Sequence, residues 1–291
     1  MRTELRKTLR TGAALLPVAL LHIAGAAAGQ QSNASSRPAG ISLAPSVVML
    51  KGQPGQAYRQ TLRLTNHTSR DLAFRLEAQD VVTDKGRRVF VAAGERPDSV
   101  AATAVFSPRE VVVAPGATGT ADLTITVPAR TSIRGVAGIF RGETVVGDQR
   151  GVAMTASLGA LITFTLSDDI RLEASAPEVA GQTDTTNLSL AEWVTNTGSE
   201  PVVASGAAAV LNAAGVLVGR VPVEPQRLMP GERLPFKADY PALLAPGTYR
   251  ALLSLEYDGH QRNVLTRTVD FEVPAVRDDR RIADRGTGVR F

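Results

Sequence analysis

The sequence predicts an all-β chain of two tandem β-sandwiches. Three observations predict it: apolar residues recur with period two, Pro-Gly and Asn-containing turns recur between these runs, and no window carries a sustained helical stripe. Many short alternating segments separated by turn signals are the mark of a sandwich. The longest alternating run is Val152 to Leu166, where Val152, Met154, Ala156, Leu158, Ala160, Ile162, Phe164 and Leu166 fall on one side of an extended chain. Side chains of a strand alternate between two faces, so this run reads as one unbroken strand with a single apolar face. It closes the first sandwich just before Asp168-Asp169.

The N-terminus reads as a targeting segment. Arg2, Arg6, Lys7 and Arg10 form a basic start, an apolar stretch follows to Ala28, and Ala24-Gly25-Ala26 or Ala26-Ala27-Ala28 offers a small-residue cleavage site. The apolar stretch is shorter than the roughly 20 residues of a spanning helix. Residues 1–28 are therefore expected to be a signal peptide, with an uncleaved anchor as the alternative. Residues 29–40, polar with Ser, Pro and Gly, read as a flexible leader to the first sandwich. Four basic residues and one acid lie in the leader, so its removal takes the formal charge from +4 to about +1. The basic balance thus belongs to the leader, and no clustered basic footprint for nucleic acid remains.

The chain has no cysteine. A secreted chain without disulfides is held by its cores alone, and at 44% hydrophobic residues two domains of ordinary size can supply them.

Residues 41–168 hold the first set of strands, including Arg59 to Thr65, Asp71 to Val82, Glu110 to Ala114, Ala121 to Val127 and Val136 to Val146. Residues 169–274 hold the second, about seven strands, the count of one immunoglobulin-like sandwich. Residues 275–291, ending at Phe291, read as a disordered tail. The two sets look like degenerate copies. Leu64-Thr65-Asn66 matches Val194-Thr195-Asn196, and Ala114-Pro115-Gly116 matches Met229-Pro230-Gly231. Asn and Pro-Gly both favour tight turns. Ala245-Pro246-Gly247-Thr248-Tyr249 reads as a tyrosine corner, with the Tyr249 hydroxyl returning to nearby backbone.

Candidate chemistry is sparse. His67 and His260 sit in polar turns, and no nucleophile elbow accompanies them. No histidine pair has zinc spacing, and Asp168-Asp169 alone falls short of the six or more oxygens calcium needs. No enzyme, metal or cofactor is expected. The Asn-x-Ser/Thr triplets at Asn33, Asn66 and Asn187 match a glycosylation acceptor and read as turn or strand positions. Trp193, the one tryptophan, is a harder case. Register with Val194 points it outward and Glu192 inward. An inward carboxylate is costly, so a bulge before Thr195, or an interdomain contact, is the favoured reading; an outward Trp193 is the alternative, a binding anchor.

The leader, the two immunoglobulin-like domains, the missing cysteines, the run Ser107 to Gly116 followed by an alternating strand, and the long strand ending the first domain together resemble the periplasmic pilus-assembly chaperones, of PapD-like fold. Gly135 to Glu143 also looks like immunoglobulin-like cell-envelope proteins. The chaperone resemblance implies a fibronectin type III/PapD-like fold and a periplasmic or secreted protein. It implies a secreted or pilin-like partner bound by β-strand addition through Met154, Leu158, Ala160, Ile162, Phe164 and Leu166. It also implies a basic pair that anchors a partner's carboxylate, for which Lys51, Arg134 and Arg150 are candidates. The alternative is a structural or adhesive envelope module, whose long strand closes its own sandwich.

Overall fold

The structure, a computed structural model, describes residues 40–142, 145–146, 153–154, 157–181, 187–257 and 263–275. The predicted signal peptide, Arg150, His260 and the tail with Phe291 lie outside these residues. No helix among them is long and apolar enough to cross a membrane.

The first sandwich contains β1 (Ile41–Ala44), β2 (Val47–Lys51), β3 (Ala57–Asn66), β4 (Leu72–Asp84), β5 (Arg87–Ala92), β6 (Val105–Ser107), β7 (Glu110–Val113), β8 (Thr118–Thr126), β9 (Gly135–Gly142), β10 (Val145–Val146), β11 (Ala153–Met154) and β12 (Ser157–Thr165). One sheet has the order β1-β3-β8-β6. The other has β2-β12-β9-β4-β5, with β7 also on β4, and β10 and β11 form a separate hairpin. The second sandwich contains β13 (Leu172–Ala174), β14 (Glu178–Ala180), β15 (Ser189–Asn196), β16 (Val202–Asn212), β17 (Leu217–Leu228), β18 (Arg233–Asp239), β19 (Gly247–Tyr257) and β20 (Asn263–Val273). There β13 and β14 share one edge of β15 while β18 takes the other, and the facing sheet runs β17-β16-β19-β20. Each sandwich buries its own core, around Leu62, Leu123, Phe140 and Phe164 in the first and Leu190, Phe236 and Leu253 in the second.

The predicted strand from Val152 to Leu166 is described in two pieces, β11 and β12, and residues 155 and 156 between them lie outside the described residues. Its register does hold in β12: Ala160, Ile162 and Phe164 are buried in the first core. The bulge expected before Thr195 is absent. β15 pairs with β18 without a break from Ser189↔Asp239 to Thr195↔Arg233. Glu192 therefore does point inward, fully buried, and Trp193 points outward under the Arg233 guanidinium, 5.1 Å from its ring centre.

The paired copies read from the sequence have a common physical cause. Asn66 and Asn196 are both fully buried at the ends of their strands. Asn66 Nδ2 donates to Arg70 O and Val113 O, and its Oδ1 accepts from Thr68 N. Asn196 Nδ2 donates to Glu200 O at 2.8 Å and Leu228 O at 3.2 Å, and its Oδ1 accepts from Gly198 N at 3.0 Å. Gly116 N donates to Asn66 O and Gly231 N to Asn196 O. Both glycines have φ in the left-handed region, +72° and +76°, where a side chain is strained. One asparagine thus pins two loops together in each sandwich. The Tyr249 hydroxyl donates to Ala245 O at 2.7 Å, a third such tie. β17 is an open edge strand and carries Pro222 and Pro225, which have no amide to offer a neighbour.

Replacing Asn196 with alanine leaves three buried backbone groups without partners. We expect Asn196→Ala to cost about 2–3 kcal/mol, measured as a shift in the urea unfolding midpoint with unchanged slope.

Candidate functional site

The candidate site is the edge of β12 and the sheet face beside it. The chain crosses from one sheet to the other at Pro45-Ser46: β1 pairs with β3, whereas β2 pairs in parallel with β12, from Leu161↔Val47 to Thr165↔Lys51. Leu161 N donates to Ser46 O and Gly52 N to Thr165 O, so odd-numbered residues of β12 turn their backbone groups toward β2. Even-numbered ones turn toward β9, as Phe164 N does to Arg134 O. β2 begins at Val47, opposite Leu161, so among the described residues no strand pairs with Ser157 to Ala160 on that side. The backbone groups of Ser157 and Gly159 face outward there, and such groups are a template for another strand.

The outer face of the same sheet is apolar beside this edge. Val47 and Met49 lie on it opposite Leu161 and Thr163, and it continues through Ala137 and Ile139 to Val81 and Phe90. Met49 is 66% and Phe90 54% exposed.

The sequence-predicted residues divide accordingly. Leu158 and Leu166 are half-buried against their own core. Ala160, Ile162 and Phe164 are inside it, so a partner reaches them only if the sandwich opens. Nothing is described of the Met154 side chain. Lys51 is exposed at the end of β2. Arg134 is engaged within the chain: its Nε donates to Glu200 Oε2 at 3.0 Å, and its Nη1 to Thr131 O at 2.8 Å.

That ion pair belongs to the seam between the sandwiches, both of which lie within one compact unit, Pro38–Phe291. Glu200 is fully buried. Besides Arg134 it accepts Leu166 N at 2.9 Å and the Ser167 hydroxyl at 2.7 Å. A second buried carboxylate, Glu232, accepts from Arg88 at 2.8 Å and from Met229 N at 2.8 Å. Between the two pairs, Met229 lies on Val81 and Ala137. Its terminal methyl lies where a Cβ on Gly135 would come within 2.8 Å, and Val81 Cβ lies 3.2 Å from the same point, so a side chain there would push the Met229 tip aside and press on Val81. Arg233 N donates to Gly86 O across the same seam. Arg227, half-buried here, has its pKa lowered by burial and then by Arg88. A cavity of about 240 Å³ opens at the seam, lined by Val82, Thr83, Arg96, Ser132, Arg134 and Met229. On its rim Asp98 is held at about 2: burial opposes ionisation, but Ser132 and Arg96 outweigh it by donating to the carboxylate. Sequence reasoning found none of the seam carboxylates. Glu200 and Glu232 look like ordinary turn residues, and the one available signal was their position just after the repeated Asn and Pro-Gly corners.

Little catalytic chemistry is gathered. His67 is a surface residue within 3.0 Å of the Ser42 hydroxyl. Asp169 bridges to Arg171 and accepts Ser199 N, which ties the Asp168-Asp169 junction to the second sandwich. Among the described residues no three His, Cys, Asp or Glu side chains form a metal-binding group.

Removing one partner of a buried pair strands the other charge. Glu200→Ala should cost about 3–5 kcal/mol, and Glu200→Gln with Arg134→Met together much less. A double-mutant cycle by urea unfolding measures the difference.

No protein-family model matches the chain, and no curated protein matches it. Solved structures similar to it are fimbrial chaperones and other PapD-like domains. The class 5 fimbriae chaperone CfaA is 12% identical, over 81% of this chain and all of that one, with a TM-score of 0.41. The CsuC–CsuE chaperone–tip subunit complex of Acinetobacter baumannii is 10% identical over 79% and 98%, also at 0.41. The CupB2 chaperone of Pseudomonas aeruginosa is 12% identical over 77% and 98%, at 0.35. The tandem-sandwich fold itself stands on the strand order and registers of this chain.

Proposed function

We propose that the chain is a non-enzymatic, chaperone-like protein of the bacterial envelope, exported by its N-terminal leader, that binds partner polypeptides by strand addition in the manner of pilus assembly. The carrying observation is the stretch of β12 before Leu161, where among the described residues no strand pairs with the outward backbone groups of Ser157 and Gly159, next to the exposed apolar side chains of Val47 and Met49. Soluble proteins normally block such an edge. A partner strand laid there extends the sheet in line with β2 and covers Leu158. Met154, in the β10–β11 hairpin, and Arg150, outside the described residues, stay candidates beside it, and Lys51 stands at the far end of β2 as a candidate for a partner's carboxylate. In this reading Ala160, Ile162 and Phe164 hold β12 rigid rather than entering the partner.

Their burial also favours a second reading, in which β12 only closes its own sandwich and the chain is a structural or adhesive module. The two readings separate at Gly159. Its amide points away from β9, so proline there removes a donor from the free edge and leaves the β9 ladder intact. With synthetic extended peptides carrying apolar residues at alternate positions, we expect amide shifts at Ser157 and Gly159 by NMR, and at least tenfold weaker binding by a folded Gly159→Pro variant. If no peptide moves those amides, or if the variant binds equally well, the structural-module reading stands.

A further inference from the structure

Among the described residues, Glu192 is the buried carboxylate with neither oxygen hydrogen-bonded, and neither packing nor the β12 site accounts for it. It sits in the middle of β15, directly opposite Phe236 of β18, and is fully buried with no hydrogen-bond partner on either carboxylate oxygen. An ionised carboxylate left this way is expensive, and groups so placed take up a proton instead. The surroundings offer one opposite charge. Arg267 of the edge strand β20 is opposite buried Leu253 and so shares its core-side register, but it is exposed, donates to Thr266 O at 3.2 Å, and acts on Glu192 only across a distance, without a hydrogen bond. The described inward residues of β13, β14, β16 and β18 carry no charge. The tyrosines of the core are occupied or remote: Tyr249 donates to Ala245 O, Tyr240 to Val218 O, and Tyr257 lies half-buried at the end of β19. Arg227, Glu200 and Glu232 belong to the seam, the two carboxylates held there by Arg134 and Arg88.

We propose that Glu192 is a proton-operated latch on the second sandwich: uncharged, it lets the two sheets close over it, and ionised, it draws Arg267 inward and loosens the β20 edge. Burial, only partly offset by Arg267, raises the carboxyl to about 7. The folded state therefore holds the proton more tightly than the unfolded chain. Stability is fully present below the unfolded carboxylate range and is lost as pH rises through about 7.

The test uses the full chain, with Trp193 as reporter, since it is the sole tryptophan and the next residue along β15. Urea unfolding followed by its fluorescence should show the folding equilibrium constant falling by roughly two orders of magnitude between about pH 5 and pH 8. Glu192→Gln should be flat over that range and more stable than the unmodified chain at pH 8. A parallel pH profile in both proteins overturns the proposal. Carboxyl NMR of the unmodified protein reads the same group without mutation: a Glu192 midpoint near 7 supports the latch, and one near the ordinary glutamate value sinks it. In Arg267→Gln the midpoint should move higher still. Amide exchange at Thr266 to Thr268 should quicken above neutrality in the unmodified chain and not in Glu192→Gln; equal exchange in both removes β20 from the mechanism.

Discussion

The Glu200 carboxylate is the constraint on which the arrangement of this chain depends. It is buried, yet it belongs to neither core. One oxygen takes the Arg134 guanidinium and the Leu166 amide, the other the Ser167 hydroxyl. The end of β12, the entry to β9 and the Asn196 corner therefore meet at one side chain. Buried ion pairs contribute little net stability against an apolar replacement, but they fix geometry, because either charge alone is costly. Here the geometry fixed is the seam. The Arg88–Glu232 pair repeats the device at the other side of Met229, so an apolar contact is enclosed by two charge pairs that admit one orientation.

What the sequence made legible follows from local physics. Period-two alternation and turn chemistry need only neighbours along the chain, and they were enough for the two sandwiches and for the matched corners at Asn66 and Asn196. Facing was legible too: the register that puts Val194 inside puts Glu192 inside. A bulge would spare the chain the expense of that carboxylate, yet the ladder with β18 runs unbroken and neither carboxylate oxygen has a hydrogen-bond partner. Rules of thumb about buried charge thus gave way to pairing continuity. The seam was illegible because its partners lie far apart in the chain, as Arg88 and Glu232 do, and polar residues in turns look solvated until the second sandwich is in place.

The β12 site was half legible. Alternation marked Leu158, Ala160, Ile162 and Phe164 as one face, and they are one face. It could not say that this face is the inside. The backbone of Ser157 and Gly159, which no described strand covers where the chain leaves for the other sheet at Pro45-Ser46, has no side-chain signature at all.

The two prolines of β17 bear on how its edge meets another chain. With Pro222 and Pro225 in that open edge, the second sandwich offers a broken row of donors to any neighbouring strand. Unpaired edges invite association between sheets, and these two residues make β17 a poor template for it.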